Sequence, residues 1–205
     1  MKLVIGLAGL PLAGKETVAI KLEELLHADG ATVSRNRFSD ILRDTLDLWS
    51  MPHGRGNEQI LAQIMQRPGG KDGSMPGFPE GVLSRAIKAR LMKDSHDVGI
   101  LDGARWDADE KMIREFPAEG IKSIIVYIEA DDAHRYARMK ARNRSGEAAM
   151  TLEAFHAMNA APNEAFIPQI GAHADIRLTN DYDSIADFER DIEAAYREKI
   201  KPLLE

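Results

Sequence analysis

Seven residues, Gly9-Leu10-Pro11-Leu12-Ala13-Gly14-Lys15, separate an apolar run from a helical pattern, and they constrain the fold more than any other part of the chain. Residues 2–8 read as a buried strand. Residues 15–28 read as a helix whose Val18, Leu22, Leu25 and Leu26 share one face. G-x-x-x-x-G-K between a strand and a helix is a phosphate-binding pattern with a physical basis. Glycines let the backbone curl until several N–H groups point at one anion, and the helix that follows adds its positive end. The lysine then supplies a point charge to the outer phosphates. The competing reading is a glycine-rich strand–helix turn carrying a chance lysine. The residue after the lysine is Glu16, so the usual hydroxyl ligand to magnesium is missing there, and Thr17 follows one place later.

The rest of the chain alternates in the same way. Short strands are predicted at 31–33, 98–101, 121–129 and 175–178, and helices at 40–49, 80–93, 131–142, 151–160 and 184–200. Residues 51–79 are rich in proline and glycine and read as irregular. Strand–helix alternation predicts a three-layer α/β/α arrangement around a parallel sheet, with ligands at the carboxyl ends of the strands.

Composition narrows the chemistry. The 205 residues are 44% hydrophobic, enough for one full core. With no cysteine, disulfide scaffolds, thiolate metal sites and cysteine nucleophiles are excluded. The net charge of −6 sets nucleic-acid binding behind other functions. The apolar start at residues 1–14 superficially resembles a leader, but it is too short to span a bilayer and runs into the phosphate-binding pattern. No membrane and no nucleic-acid partner are expected, and the expected location is cytoplasmic.

Residues 9–17 resemble the G-x-P-G-x-G-K-G-T loop of the adenylate kinase and nucleoside-monophosphate kinase family, with Leu12 and Glu16 in place of two glycines. The resemblance implies a P-loop NTPase fold in which Gly9, Leu12, Ala13, Gly14, Lys15, Glu16 and Thr17 bind ATP. Three further segments match in order. Phe38-Ser39-Asp40-Ile41-Leu42-Arg43 is similar to the G-D-x-L-R segment, which implies acceptor binding by Asp40 and Arg43. The family's Thr-Gly pair before that aspartate is replaced by Phe38-Ser39, so AMP itself is not specifically implied. Asp102-Gly103-Ala104-Arg105 resembles the D-G-x-P-R signature without its proline, closer to the D-G-x-R form of dephospho-CoA kinase-like and deoxynucleotide kinase-like relatives. That match implies Arg105 on the acceptor phosphate and Asp102 in the water shell of Mg2+.

The last segment is basic. Arg135, Arg138, Lys140, Arg142 and Arg144 fall within ten residues that contain no acid. Helical spacing puts Arg138 and Arg142 on one face, where like charges repel unless an anion lies between them. A solvated face or a nucleic-acid patch is the alternative reading. In the kinase family an R-x-x-x-R here belongs to a lid that closes over the triphosphate, with residues 145–150 as its tip. Asn180 falls where the family's loop passes the adenine ring. Trp49 and Trp106 either flank the acceptor base or belong to the core. The six histidines show no metal-ligand spacing.

Together these matches imply a kinase core of residues 1–33, 95–130 and 173–205, an acceptor-binding insertion at 34–94 and a lid at 131–172. The implied reaction is Mg2+-dependent transfer of the ATP γ-phosphoryl group to a small phosphorylated acceptor, a nucleoside or deoxynucleoside monophosphate. Lys15, Arg105, Arg138 and Arg142 are the implied catalytic residues. A dephospho-CoA kinase-like enzyme that phosphorylates a hydroxyl and a nucleotide-binding regulatory protein of weak turnover are the alternatives.

Overall fold

The structure, a computed structural model, describes residues 1–66, 81–93, 95–143, 147 and 149–205. Five strands form one parallel sheet in the order β2-β3-β1-β4-β5, where β1 is Leu3–Ala8, β2 Val33–Arg37, β3 Val98–Ala104, β4 Lys122–Glu129 and β5 Ile176–Thr179. This is the expected α/β fold. The apolar β1 is central because every one of its residues is buried. Its side chains alternate between two cores. Leu3, Ile5 and Leu7 face helix α1 (Lys15–Ala28) and helix α9 (Ile185–Ala195) through Val18, Leu22, Leu26, Phe188 and Ile192. Val4 and Ala8 face the opposite core, built from α2 (Phe38–Leu48), α3 (Arg55–Gln66), α4 (Val82–Leu91) and α5 (Asp107–Glu115). The chain is completed by α6 (Asp132–Arg142), α7 (Leu152–Asn159) and α8 (Ile167–Ala172), with a π-helical turn at Tyr196–Ile200 after α9.

Sheet order dictates where a ligand can enter. Connections from β1 leave toward α1 on one face, and β3 lies on its other side from β4, so a crevice opens past the carboxyl ends of β1 and β3. The two strands keep register to Leu7 opposite Asp102 and then slip, so that Ala8 meets Ala104 and Gly103 bulges out with φ +96°. The bulge turns the Asp102-Gly103-Ala104-Arg105 segment toward residues 9–15.

Several elements differ from expectation. Strand β2 runs from 33 to 37, not 31 to 33, because an edge strand paired only with β3 needs no apolar run. Part of the stretch read as irregular is α3, whose Leu61, Ala62 and Met65 are buried. The remainder of that stretch from residue 67 onward, together with Glu80 and Arg144, lies outside the described residues. Helices α5 and α8 were not anticipated, and both carry buried apolar residues into the second core. Among the described residues no helix is long and apolar enough to cross a membrane.

Candidate active site

The loop between β1 and α1 is held by its neighbours on both sides. A side chain at Gly9 would collide with the backbone carbonyl of Ile128, and one at Gly14 with the amide of Asn180. Gly14 also sits at φ +109°, a conformation that disfavours L side chains. Leu12 occupies the left-handed region at φ +69°, where the resembling family carries glycine. Asn180, just past β5, donates Nδ2–H to the Ala13 carbonyl over 2.8 Å and is itself fixed by its backbone N–H to Glu129. Asn180 therefore braces the loop from the side.

Lys15 begins α1 and folds back across the loop, donating from Nζ to the carbonyls of Gly9 (2.6 Å) and Leu10 (3.0 Å). Its flank is partly accessible, but protein encloses the ammonium closely. Burial first, then the positive charge of Arg105, pull its pKa from 10.5 to about 8, while Asp102 and Glu164 push the other way. Lys15, Asp102, Arg105 and Glu164 are thus one electrostatic cluster at the carboxyl ends of β1 and β3.

Glu16 does not stand as a bare charge beside the loop. Arg35 grips its two oxygens at 3.1 and 2.7 Å, and Arg37 reaches both at 2.7 Å. The Arg35 hydrogen bonds are the largest cause holding the Glu16 carboxyl below its ordinary pKa. Arg35 also donates to Asp102 at 2.5 Å, and Arg37 Nε lies 3.5 Å from the same carboxylate. Asp102 offers hard oxygen donors beside Lys15, chemistry that suits Mg2+. Because the arginines already occupy its carboxylate, contact through the cation's water shell fits better than direct ligation. Thr17 lies in the first turn of α1, partly buried.

Arg105 is fixed at its backbone and at its tip. Its N–H donates to Asp109 Oδ2 at 2.8 Å, and its Nη1 donates to Glu164 Oε1 at 2.6 Å. Asp109 accepts four hydrogen bonds, from the N–H groups of Arg105 and Trp106 and the side chains of Ser84 and Gln66. Burial nonetheless raises its pKa above the ordinary carboxylate value. On α2, Arg43 is half exposed, 3.5 Å from Asp40 and 3.2 Å from Glu58. Trp106 is buried and stacked on Phe166, so it is core, whereas Trp49 is exposed.

The basic helix α6 divides its arginines. Arg138 reaches the carbonyls of Leu12 (3.4 Å), Asn180 (2.7 Å) and Tyr182 (3.3 Å), clasping the loop to the end of β5. Burial draws its pKa down, opposed by Asp181 and Asp131. Arg135 is buried beneath, bonded to the Pro11 carbonyl (3.3 Å), Asn159 (3.0 Å) and Asp132. Arg142 is ion-paired with Glu147. Near the start of α6, Asp131, His134 and Asp181 bring one ligand atom each within 4.8 Å of one another. Both carboxylates there already accept backbone N–H groups, Asp131 from His134 and Asp181 from Asp131, so they serve the loop ends.

Sequence reasoning missed Arg35, Arg37, Asp109 and Glu164 as site residues. Arg35 and Arg37 were readable in principle, since alternate residues of a strand share a face. Glu164 carried no local signal.

No family model matches the chain, and no curated protein matches it. Solved structures do. A shikimate kinase from Bacteroides thetaiotaomicron aligns at 12% identity over 95% of this chain and 97% of its own, with a TM-score of 0.60. The Mycobacterium tuberculosis APS kinase, solved with AMPPNP and APS, aligns at 18% identity over 96% and 98%, with a TM-score of 0.53. TT1252 from Thermus thermophilus aligns at 18% identity over 97% and 98%, with a TM-score of 0.52. At these identities the likeness concerns the fold alone, an α/β fold that this chain shares with a shikimate kinase and an APS kinase.

Proposed function

We propose that the chain is an ATP-dependent phosphotransferase whose acceptor is a nucleoside or deoxynucleoside monophosphate. One observation carries this reading: the loop that holds Lys15 follows β1, and Asp102 and Arg105 sit at the end of the adjacent parallel strand β3, so a donor phosphate on the loop and an acceptor phosphate on Arg105 would meet at neighbouring strand ends. The loop N–H groups and Lys15 hold the β- and γ-phosphates, with Gly9, Leu12, Ala13, Gly14, Glu16 and Thr17 shaping the cradle. Asn180 braces it. Arg43 and Arg105 hold the acceptor phosphate, with Asp40 orienting Arg43.

In the transfer, an oxygen of the acceptor phosphate bonds to the γ-phosphorus as the bond to the β–γ bridging oxygen breaks, leaving ADP. The transition state is loose, so placement and charge stabilisation supply the acceleration. Arg138, seated against the loop, and Arg142, released from Glu147, supply positive charge from α6. Mg2+, held through water by Asp102, would neutralise charge on the phosphates when bound. Closure of the α6–α7 region excludes water, which would otherwise take the phosphoryl group.

The engagement of Asp102 by Arg35 at 2.5 Å favours a monophosphate over a hydroxyl acceptor, because it leaves that carboxylate poorly placed to take a proton. The test is ADP release measured with each nucleoside and deoxynucleoside monophosphate and with dephospho-CoA. Turnover with a monophosphate supports the reading. Turnover with dephospho-CoA alone replaces it with the hydroxyl-phosphorylating kinase, and nucleotide binding without turnover replaces it with a regulatory protein.

A further inference from the structure

We propose that Glu164 is a positioning residue for the acceptor: it holds Arg105 by one nitrogen and leaves the rest of the guanidinium to face the acceptor phosphate. The inference rests on the kinase reading above. Glu164 lies in the single turn Pro162–Glu164 that follows α7, 59 residues beyond Arg105. Its side chain is 0% exposed, whereas that of Arg105 is 36% exposed. The buried partner therefore anchors Nη1 of a side chain that keeps 36% of its surface exposed.

The form of the contact argues against a purely structural role. Arginine and carboxylate pair most strongly through two parallel hydrogen bonds. Here Glu164 Oε1 accepts from Nη1, while Oε2 is buried without a partner. A buried carboxylate oxygen with no protein partner is costly, and a pair selected for stability would close the fork. Unclosed, it keeps the other nitrogens of Arg105 for an incoming anion. Such local costs concentrate where function requires them.

The same turn also touches the acceptor side of the molecule. Asn163 accepts from Gln63 Nε2 at 2.9 Å and donates to the Gln59 carbonyl at 3.3 Å, both on α3. One short turn therefore joins Arg105 at the end of β3 to the helix that follows Arg43. The charge of Glu164 also favours the Lys15 ammonium that the charge of Arg105 opposes.

The experiment is a double-mutant cycle on the full chain, read by calorimetric binding of AMP, CMP, GMP and UMP and, separately, of AMPPNP. Glu164→Gln is expected to weaken the bound monophosphate about tenfold and AMPPNP less than twofold. Arg105→Ala is expected to lose at least as much monophosphate affinity, and the double variant no more than Arg105→Ala alone, since Glu164 acts through Arg105. Should Glu164→Gln not fold, Glu164→Asp keeps the charge but withdraws the oxygens, and the same pattern is expected. Additive losses, or equal losses for AMPPNP and the monophosphate, would overturn the proposal while leaving the kinase reading intact. If wild type binds AMPPNP but none of the four monophosphates and none of the deoxynucleoside monophosphates, the acceptor reading fails instead. The cycle is then read with dephospho-CoA, where additive losses again overturn the role of Glu164.

Discussion

Arg37 reaches both carboxylate oxygens of Glu16 through a single guanidinium nitrogen, each at 2.7 Å. Arg35, two residues earlier on the same strand, grips the same carboxylate. A glutamate directly after Lys15 would repel a triphosphate bound as proposed if it stood alone, but two arginines of β2 offset it. Glu16→Gln is therefore expected to bind AMPPNP as well as wild type or better. It also tests the pH dependence of the fold. The Glu16 pKa is depressed in the folded state, so its contribution is present above its ordinary value of 4.5 and is lost as pH falls through the folded value. Urea unfolding of the variant should lose less stability than wild type between neutral and acid pH. At neutral pH the cost should be about 1 kcal/mol or less, because Glu16 is more than half exposed. Equal slopes against pH would show that the network carries no linkage.

The Lys15 pKa is also lowered, but for the opposite reason: its charged form is disfavoured by burial and by Arg105. Its folded pKa of about 8 lies below the ordinary 10.5, so between those values the unfolded chain holds more protons and stability rises with pH. At neutral pH both states are charged and the folded state bears the whole cost of enclosing the ammonium. Lys15→Met keeps the stem and removes the charge. It is expected to raise stability by about 1–3 kcal/mol, discounted for the partly accessible flank, and to abolish the alkaline rise. AMPPNP should stabilise wild type and leave the variant unchanged. Thermal melts at pH 7 and pH 10, with and without AMPPNP, decide the matter, and a variant less stable than wild type would contradict it.

The parts of the site that were legible in the sequence are those whose chemistry is local. The Gly14-Lys15 loop announces itself because a strand, a curled loop and a helix N-terminus must be contiguous to hold an anion. Asp102 and Arg105 were legible because both lie on one bulged strand end. What escaped was charged or distant. Strand β2 was hidden by Arg35 and Arg37, which an edge strand tolerates. Helix α5 presents a run of charges and buries mainly Met112 and Ile113, too narrow a stripe for periodicity to reveal. Helix α3 was obscured by the prolines and glycines around it. Glu164 meets Arg105 only through tertiary packing, which no spacing encodes.

The arginines of α6 should separate by experiment. Arg138 contacts the Leu12, Asn180 and Tyr182 carbonyls, so its removal should loosen the loop proposed to cradle the nucleotide. Arg138→Ala is expected to weaken AMPPNP binding by about ten- to a hundredfold, comparable to losing several charge-assisted hydrogen bonds. Arg142 pairs with Glu147 and, among the described residues, makes no hydrogen bond or ion pair to the loop at residues 9–15, so Arg142→Ala should leave AMPPNP affinity within about threefold. Its effect should fall on turnover, by about tenfold or more, if it joins the transferring group only on closure. Binding measured beside single-turnover rates separates the two. Equal losses in binding would mean that both arginines already serve the bound nucleotide.

Asp40 distinguishes the two acceptor chemistries. It lies 3.5 Å from Arg43, which is also 3.2 Å from Glu58, so two carboxylates orient this arginine. A monophosphate attacks with an oxygen already ionised near neutral pH, since its second pKa is about 6. No general base is then required, and Asp40 contributes only orientation, a task Glu58 shares. A hydroxyl must lose its proton, and a positioned carboxylate typically contributes about 10²–10⁴-fold to that step. Asp40→Asn keeps the shape and removes the basicity, so turnover with the best monophosphate is expected to fall by about tenfold or less. The acid limb of the pH profile should survive in the variant, because it reports the acceptor phosphate and not the enzyme. The measurement is turnover against pH for wild type and Asp40→Asn with that acceptor. A loss near a thousandfold with the acid limb gone would place the proton on a hydroxyl and make Asp40 its base.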